Sequence, residues 1–131
     1  MDRSADWMEQ AKRDLEVARW QRQGRYYEWA AFAAQQAAEK AIKAACQHHG
    51  GDAWGHSCRE LLQALLDDLG RDEPGLLDAA RLLDRFYIPA RYPNGWSAGT
   101  PKDYFSEGDA DDAIRAAEEI LRFCDDLLAG P

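Results

Sequence analysis

Residues 29–46, WAAFAAQQAAEKAIKAAC, constrain the fold more than any other stretch of the chain. Alanine has the highest helix propensity of any residue, and its methyl side chain lets neighbouring helices approach closely. A helix over residues 27–47 with so smooth a surface is expected to sit at the centre of a bundle. The rest of the chain must then supply the helices that pack against it.

It does so by periodicity. Over residues 6–23, Trp7, Met8, Ala11, Leu15 and Ala18 recur at helical spacing between charged residues, and Gly24 closes the run. After the connector HHGGDAWG, Ser57-Cys58-Arg59-Glu60 has the S-x-x-E form of a capping box. Leu61, Leu62, Leu65, Leu66 and Leu69 then line one face up to Gly70. Pro74 suits the first turn of a fourth helix carrying Leu76, Leu77, Ala80, Leu83 and Tyr87, which Pro89 ends or kinks. Residues 109–128 repeat the pattern with Ala113, Ile114, Ala117, Ile120, Leu121, Cys124, Leu127 and Leu128. Nothing reads as a strand. The expected architecture is all-α: an antiparallel, up-and-down bundle of four or five helices forming one domain over residues 1–131.

Composition narrows the function. A chain of 131 residues buries roughly two thirds of its unfolded surface. Lys and Arg number 16 against 24 Asp and Glu, a net charge of −8, which disfavours indiscriminate nucleic-acid binding but permits a local basic site. No stretch approaches the ~20 apolar residues of a membrane span, and the N-terminus has no signal-peptide core. The 3 cysteines, without a CxxC, argue against a disulfide framework or thiolate metal site and for a reducing cytoplasm.

One segment departs from the bundle pattern. Residues 88–108 lack periodicity yet hold Arg91, Tyr92, Trp96, Tyr104 and Phe105. Loops of that length in compact domains are usually functional or disordered, and so many rings would be costly to leave in water. An ordered loop laid over the bundle is expected, serving either packing or binding.

Polar residues mark where binding would occur. Gln36, Lys40 and Lys43 share a face of the alanine-rich helix, beside Gln35 and Glu39, and Glu39 can pair with Lys43. That face is either solvated and salt-bridged, or it places Lys40 and Gln36 in a cleft beneath the Arg91 loop. A lysine there needs a carboxylate such as Asp84 or an anionic ligand. Asp84, Tyr87 and Arg91 cluster at the end of the fourth helix. Arg91 either pairs with Asp84 to fasten the loop or offers its planar fork to phosphate, with the tyrosines offering ring faces to a base. His56 precedes the capped helix, where a histidine ordinarily serves as a hydrogen-bonding partner. No GxxxxGK[ST], GxGxxG, HExxH or ExxH motif occurs, so neither a cofactor nor a metal is expected.

The segments AFAAQQAAEKAIKAACQHHG, GHSCRELLQALL, LLDRFYIPARYPNG and DADDAIRAAEEILRF resemble, in order and type, the HEPN domain (higher eukaryotes and prokaryotes nucleotide-binding). The resemblance covers residues 5–127. It implies a helical bundle, typically a homodimer, often encoded beside a minimal nucleotidyltransferase and sometimes acting as a toxin–antitoxin pair. Many members are metal-independent RNases with an Arg-x4–6-His active site. Here Arg91 is followed by Tyr92-Pro93-Asn94-Gly95-Trp96, and no histidine lies beyond His56. Losing a proton-transfer group costs roughly 10²–10⁴-fold in rate. RNase activity is therefore not carried over.

Three readings follow. The first is a non-catalytic module that binds a nucleotide or RNA, or docks a nucleotidyltransferase, through Arg91, Tyr92, Lys40, Gln36, Asp84, Tyr87, Tyr104 and His56. The second is an endoribonuclease with an unconventional set such as Arg91, Tyr104 and His56. The third is a structural dimer whose polar cluster is an internal salt-bridge network.

Overall fold

The computed structural model describes residues 1–87 and 90–130. Every regular element among them is helical: α1 (Ser4–Gln23), α2 (Tyr27–His48), α3 (Cys58–Leu69), α4 (Pro74–Asp84), α5 (Pro101–Tyr104) and α6 (Glu107–Ala129), with a 3₁₀ turn at Pro93–Gly95. The five longer helices form the antiparallel up-and-down bundle that the periodicity predicts, and α5 is a single turn.

The alanine-rich helix occupies the centre. Ala30, Ala31, Ala34, Ala37, Ala38, Ala41, Ala44 and Ala45 are all solvent-inaccessible. Side chains without bulk let α2 touch α1, α3, α4 and α6 at once. Around it the larger residues fill space: Leu15 from α1, Leu62 and Leu66 from α3, Leu83 from α4, and Ile120 and Cys124 from α6. The spacing of three and four residues read in each segment is the spacing that reaches this core.

Polar pairs fix the register of α1 against α6. Arg22 bonds the Asp111 carboxylate through two nitrogens, at 2.9 and 3.3 Å, and also reaches Glu107. Arg19 meets Glu118 at 3.0 Å and Lys12 meets Asp125 at 3.1 Å. All are largely exposed, so they specify alignment more than they stabilise.

Helix ends follow local chemistry, with three departures from the sequence reading. The Ser57 oxygen accepts the Glu60 N–H, as the S-x-x-E pattern predicts. The rest of that cap comes from Asp84, at the far end of α4, in place of the Glu60 side chain. Gly70 closes α3 in the left-handed conformation, with φ 66°. Pro74 opens α4, but α4 stops at Asp84, so Tyr87 lies beyond the helix. The expected break at Pro89 falls outside the described residues.

The third departure lies in the segment read as an ordered loop without helical periodicity, described here over residues 90–108. They contain the 3₁₀ turn, α5 and the start of α6. Thr100 with Asp103, and Ser106 with Asp109, make reciprocal capping boxes for α5 and α6. Phe105 is buried against Phe86, while Trp96 stacks on Tyr104 with centroids 4.0 Å apart. Over its described residues the loop is thus ordered on the bundle.

Candidate functional site

Three segments meet beside the middle of α2: the helix itself, the start of α3, and the chain following α4. From α2 come Phe32, Gln35, Glu39 and Lys43, which recur every three or four residues and so share a face. The connector before α3 contributes His56, and the segment after α4 contributes Tyr87, Arg91 and Tyr92.

Arg91 is held by rings. Its guanidinium carbon lies 4.6 Å from the Phe32 centroid, 4.7 Å from Tyr87 and 5.0 Å from Tyr92. Its Nε donates to the Tyr87 carbonyl at 3.0 Å. Among the described residues no carboxylate pairs with it, and its two terminal nitrogens donate to none of them. A guanidinium is weakly hydrated, so aromatic faces can hold it without consuming its donors. The result is a preoriented fork suited to a bidentate oxyanion.

Next to it, His56 is oriented from beneath. Its Nδ1 lies 3.2 and 3.3 Å from the two Glu39 oxygens, and its ring stacks on Tyr87 at 4.9 Å and 16°. With a carboxylate as acceptor, Nδ1 carries the proton and Nε2 is the nitrogen left for other partners. The His56 side chain is 58% exposed, whereas Glu39 beneath it is only 6% exposed. Lys43 donates to Glu39 Oε2 at 3.3 Å, and the Gln35 amide donates to Glu39 Oε1 and to the His56 carbonyl. Glu39 is thus a buried charge with a full set of partners.

Of the residues singled out in the sequence, the structure brings together Arg91, Tyr87, Tyr92 and His56. Lys40 instead pairs with Asp14 of α1 at 2.5 Å, so the carboxylate sought at Asp84 is supplied by Asp14. Asp84 does not meet Arg91; it caps α3. Tyr104 donates its hydroxyl to the Ala98 carbonyl and stacks on Trp96, away from the Arg91 rings. Gln36 donates to Gln35 at 2.8 Å and shares with Lys40, Phe32 and Trp29 a shallow groove between α1 and α2.

Phe32 and Glu39 were not assigned to the site from sequence. The signal available was spacing: Phe32 lies three and four residues before Gln35 and Gln36, on the same face. Cys58, although it touches Gln35, is no nucleophile, because burial pushes its thiol well above the usual value. Among the described residues no cluster of His, Cys, Asp and Glu could hold a metal ion, and no helix is long and apolar enough to cross a membrane.

The fold agrees with comparisons against known proteins. The HEPN domain model matches residues 4–127, and the chain belongs to the HEPN family. TT1696 from Thermus thermophilus is 41% identical, with a TM-score of 0.93 over 98% of this chain and 100% of that one. ST0689, an archaeal HEPN homologue, is 41% identical, with a TM-score of 0.83 over 98% and 99%. An HEPN domain protein of Thermotoga maritima, tm0613, is 37% identical, with a TM-score of 0.78 over 96% and 99%. No curated protein matches the chain.

Proposed function

We propose that the chain is a non-catalytic HEPN module that binds a nucleotide or RNA phosphate at Arg91. The observation that carries this reading is the ring-held Arg91 fork, free of any carboxylate among the described residues. Tyr92, half of whose surface is exposed, offers a base a stacking face, and the outward nitrogen of His56 offers a second polar contact. The module acts in the cytoplasm as a homodimer, with a minimal nucleotidyltransferase as its partner. Val17 and Trp29, which share a groove with Phe32, are exposed, as is Trp20 on α1, and this apolar surface suits a second copy or that partner. A toxin–antitoxin role would follow from such a pairing.

Calorimetric titration with ATP, AMP and a short RNA tests the site. Wild-type protein should bind at least one of them, and Arg91→Ala should weaken that binding about tenfold or more, as loss of a charged bidentate contact does. Equal affinity in the two proteins would remove Arg91 from the site.

A second reading has one observation in its favour. The Glu39–His56 pair resembles an oriented general base, and His56 stands one ring stack from Arg91. An endoribonuclease would then use Arg91 and His56, without the Tyr104 first grouped with them. Absence of RNA cleavage by pure protein between about pH 5 and 9 would dismiss it.

A further inference from the structure

The structure holds an open cavity that shares His56 with the Arg91 site. It measures about 830 Å³ and lies between the start of α1 and the connector joining α2 to α3, bounded by Arg3, Trp7, Lys43, Gln47, Trp54 and His56. That volume is within the range of small-ligand sites. Trp54 stands out because it is 84% exposed and takes no part in the core. A tryptophan left in water forgoes the large packing gain its ring provides, so its role here is not stability. Trp7, which does pack on the core, borders the same cavity and has the Lys43 ammonium 5.8 Å from its ring centroid.

Two further features make the cavity fit a nucleotide. Arg3 engages Asp6 through Nε and Lys43 engages Glu39 through one contact, so both keep N–H donors for a phosphate. Two carboxylates also border it, Asp52 and Asp2, the latter accepting the Ser4 N–H at 2.8 Å. His56 is common to both places: it walls the cavity, and its ring stacks on the same Tyr87 that supports Arg91. Across the surface, Trp54, His56 on Tyr87, then Arg91 beside Tyr92 form a track of ring faces that meets one cation at Arg91. Sequence-tolerant single-strand binding combines aromatic faces with positive charge in that way.

We propose that this cavity is a second nucleotide subsite, so that the ligand is single-stranded RNA of two or more nucleotides. One base stacks on Trp54 in the cavity while the neighbouring nucleotide's phosphate sits on Arg91. The proposal rests on the Arg91 reading above and adds to it the ligand's length and the role of Trp54.

The test is calorimetric titration with AMP, the dinucleotide ApA and tetra-adenylate RNA, on wild type, Trp54→Ala, Trp54→Phe and Arg91→Ala. Tetra-adenylate should bind wild type about tenfold more tightly than AMP, given one added base–aromatic stack. Trp54→Ala should abolish that gain while leaving AMP affinity unchanged, and Trp54→Phe should keep most of it. Trp54 is exposed enough that neither variant should alter the melting temperature. A wild type that binds tetra-adenylate no better than AMP overturns the subsite, as does a gain that persists in Trp54→Ala. AMP binding that survives Arg91→Ala overturns the Arg91 assignment instead.

Discussion

The Asp84 carboxylate, at the last residue of α4, accepts the Ser57 hydroxyl at 2.9 Å, across 27 residues of sequence. It also accepts the N–H groups of Cys58 at 2.7 Å and Arg59 at 3.2 Å. The first turn of a helix has N–H groups with no partner inside the helix, and its positive end favours a carboxylate. Asp84 therefore locks the end of α4 onto the beginning of α3. Because Tyr87 and Arg91 follow directly after α4 while His56 directly precedes α3, this one lock also sets the two halves of the candidate site against each other.

Asp84→Ala should accordingly cost about 2 kcal/mol, the sum expected for a lost cap and unpaired N–H groups. For a chain of this size that is a fall of about 5–8 °C in melting temperature. Asp84→Asn keeps an accepting oxygen and should lose about half as much. Differential scanning calorimetry on the three proteins decides it. A change below about 1 °C in Asp84→Ala would show that the cap is not holding the helices together.

How much of this was legible in the sequence depends on the range of the interaction. The five long helices follow from spacings of three and four, which each helix carries within itself, so α2, α3 and α6 were readable nearly to the residue. The ends were readable where both partners lie within one turn, as at Gly70 and Pro74. The cap from Asp84 to Ser57 and the pair of Lys40 with Asp14 were not, because each joins residues more than 25 positions apart. No periodicity reports on such pairs. Lys40 was read as needing a carboxylate, and it has one, but only the α1–α2 crossing decides that it is Asp14. In the site, Arg91, Tyr92 and Tyr87 were visible as an unusual cluster of rings around a cation. Phe32 was hidden among alanines, where a lone aromatic looks like core.

Acid sensitivity should be traceable to the clasp between α1 and α6. The hydrogen bonds from Arg22 hold the Asp111 carboxyl below the usual carboxylate range. Asp2 and Asp103 are lowered likewise, by backbone N–H donors at Ser4 and Thr100. A carboxyl depressed in the folded state adds stability that is complete above its unfolded value, about pH 4. That contribution disappears as pH falls through the folded value. Wild-type melting temperature should thus drop on acidification below about pH 4, and Asp111→Asn should drop less steeply while being less stable at neutral pH. Parallel acid limbs for the two proteins would mean that Asp111 stays charged, or is equally free, in both states.

The strongest test of how the site is built concerns Glu39. Its carboxylate is nearly sealed from solvent, and it holds Lys43, itself only 13% exposed, together with His56 and Gln35. Removing one member of a buried pair leaves the other charge without compensation, so Glu39→Ala should cost about 3 kcal/mol. Glu39→Gln preserves an oxygen that can accept from Nδ1 of His56 but leaves the Lys43 charge uncompensated, and should cost about 2 kcal/mol. Stability alone would not separate a purely structural role from one in positioning His56. AMP affinity, measured well below the melting temperature of each variant, does separate them. If Glu39 positions His56 for a ligand, affinity should fall about tenfold in Glu39→Ala and recover most of the way in Glu39→Gln, as hydrogen-bond geometry is restored without the charge. His56→Ala should then equal Glu39→Ala, and combining the two should add nothing further, since both changes break one chain of contacts. Additive losses would mean that Glu39 and His56 act separately, with Glu39 serving only to neutralise Lys43 within the bundle.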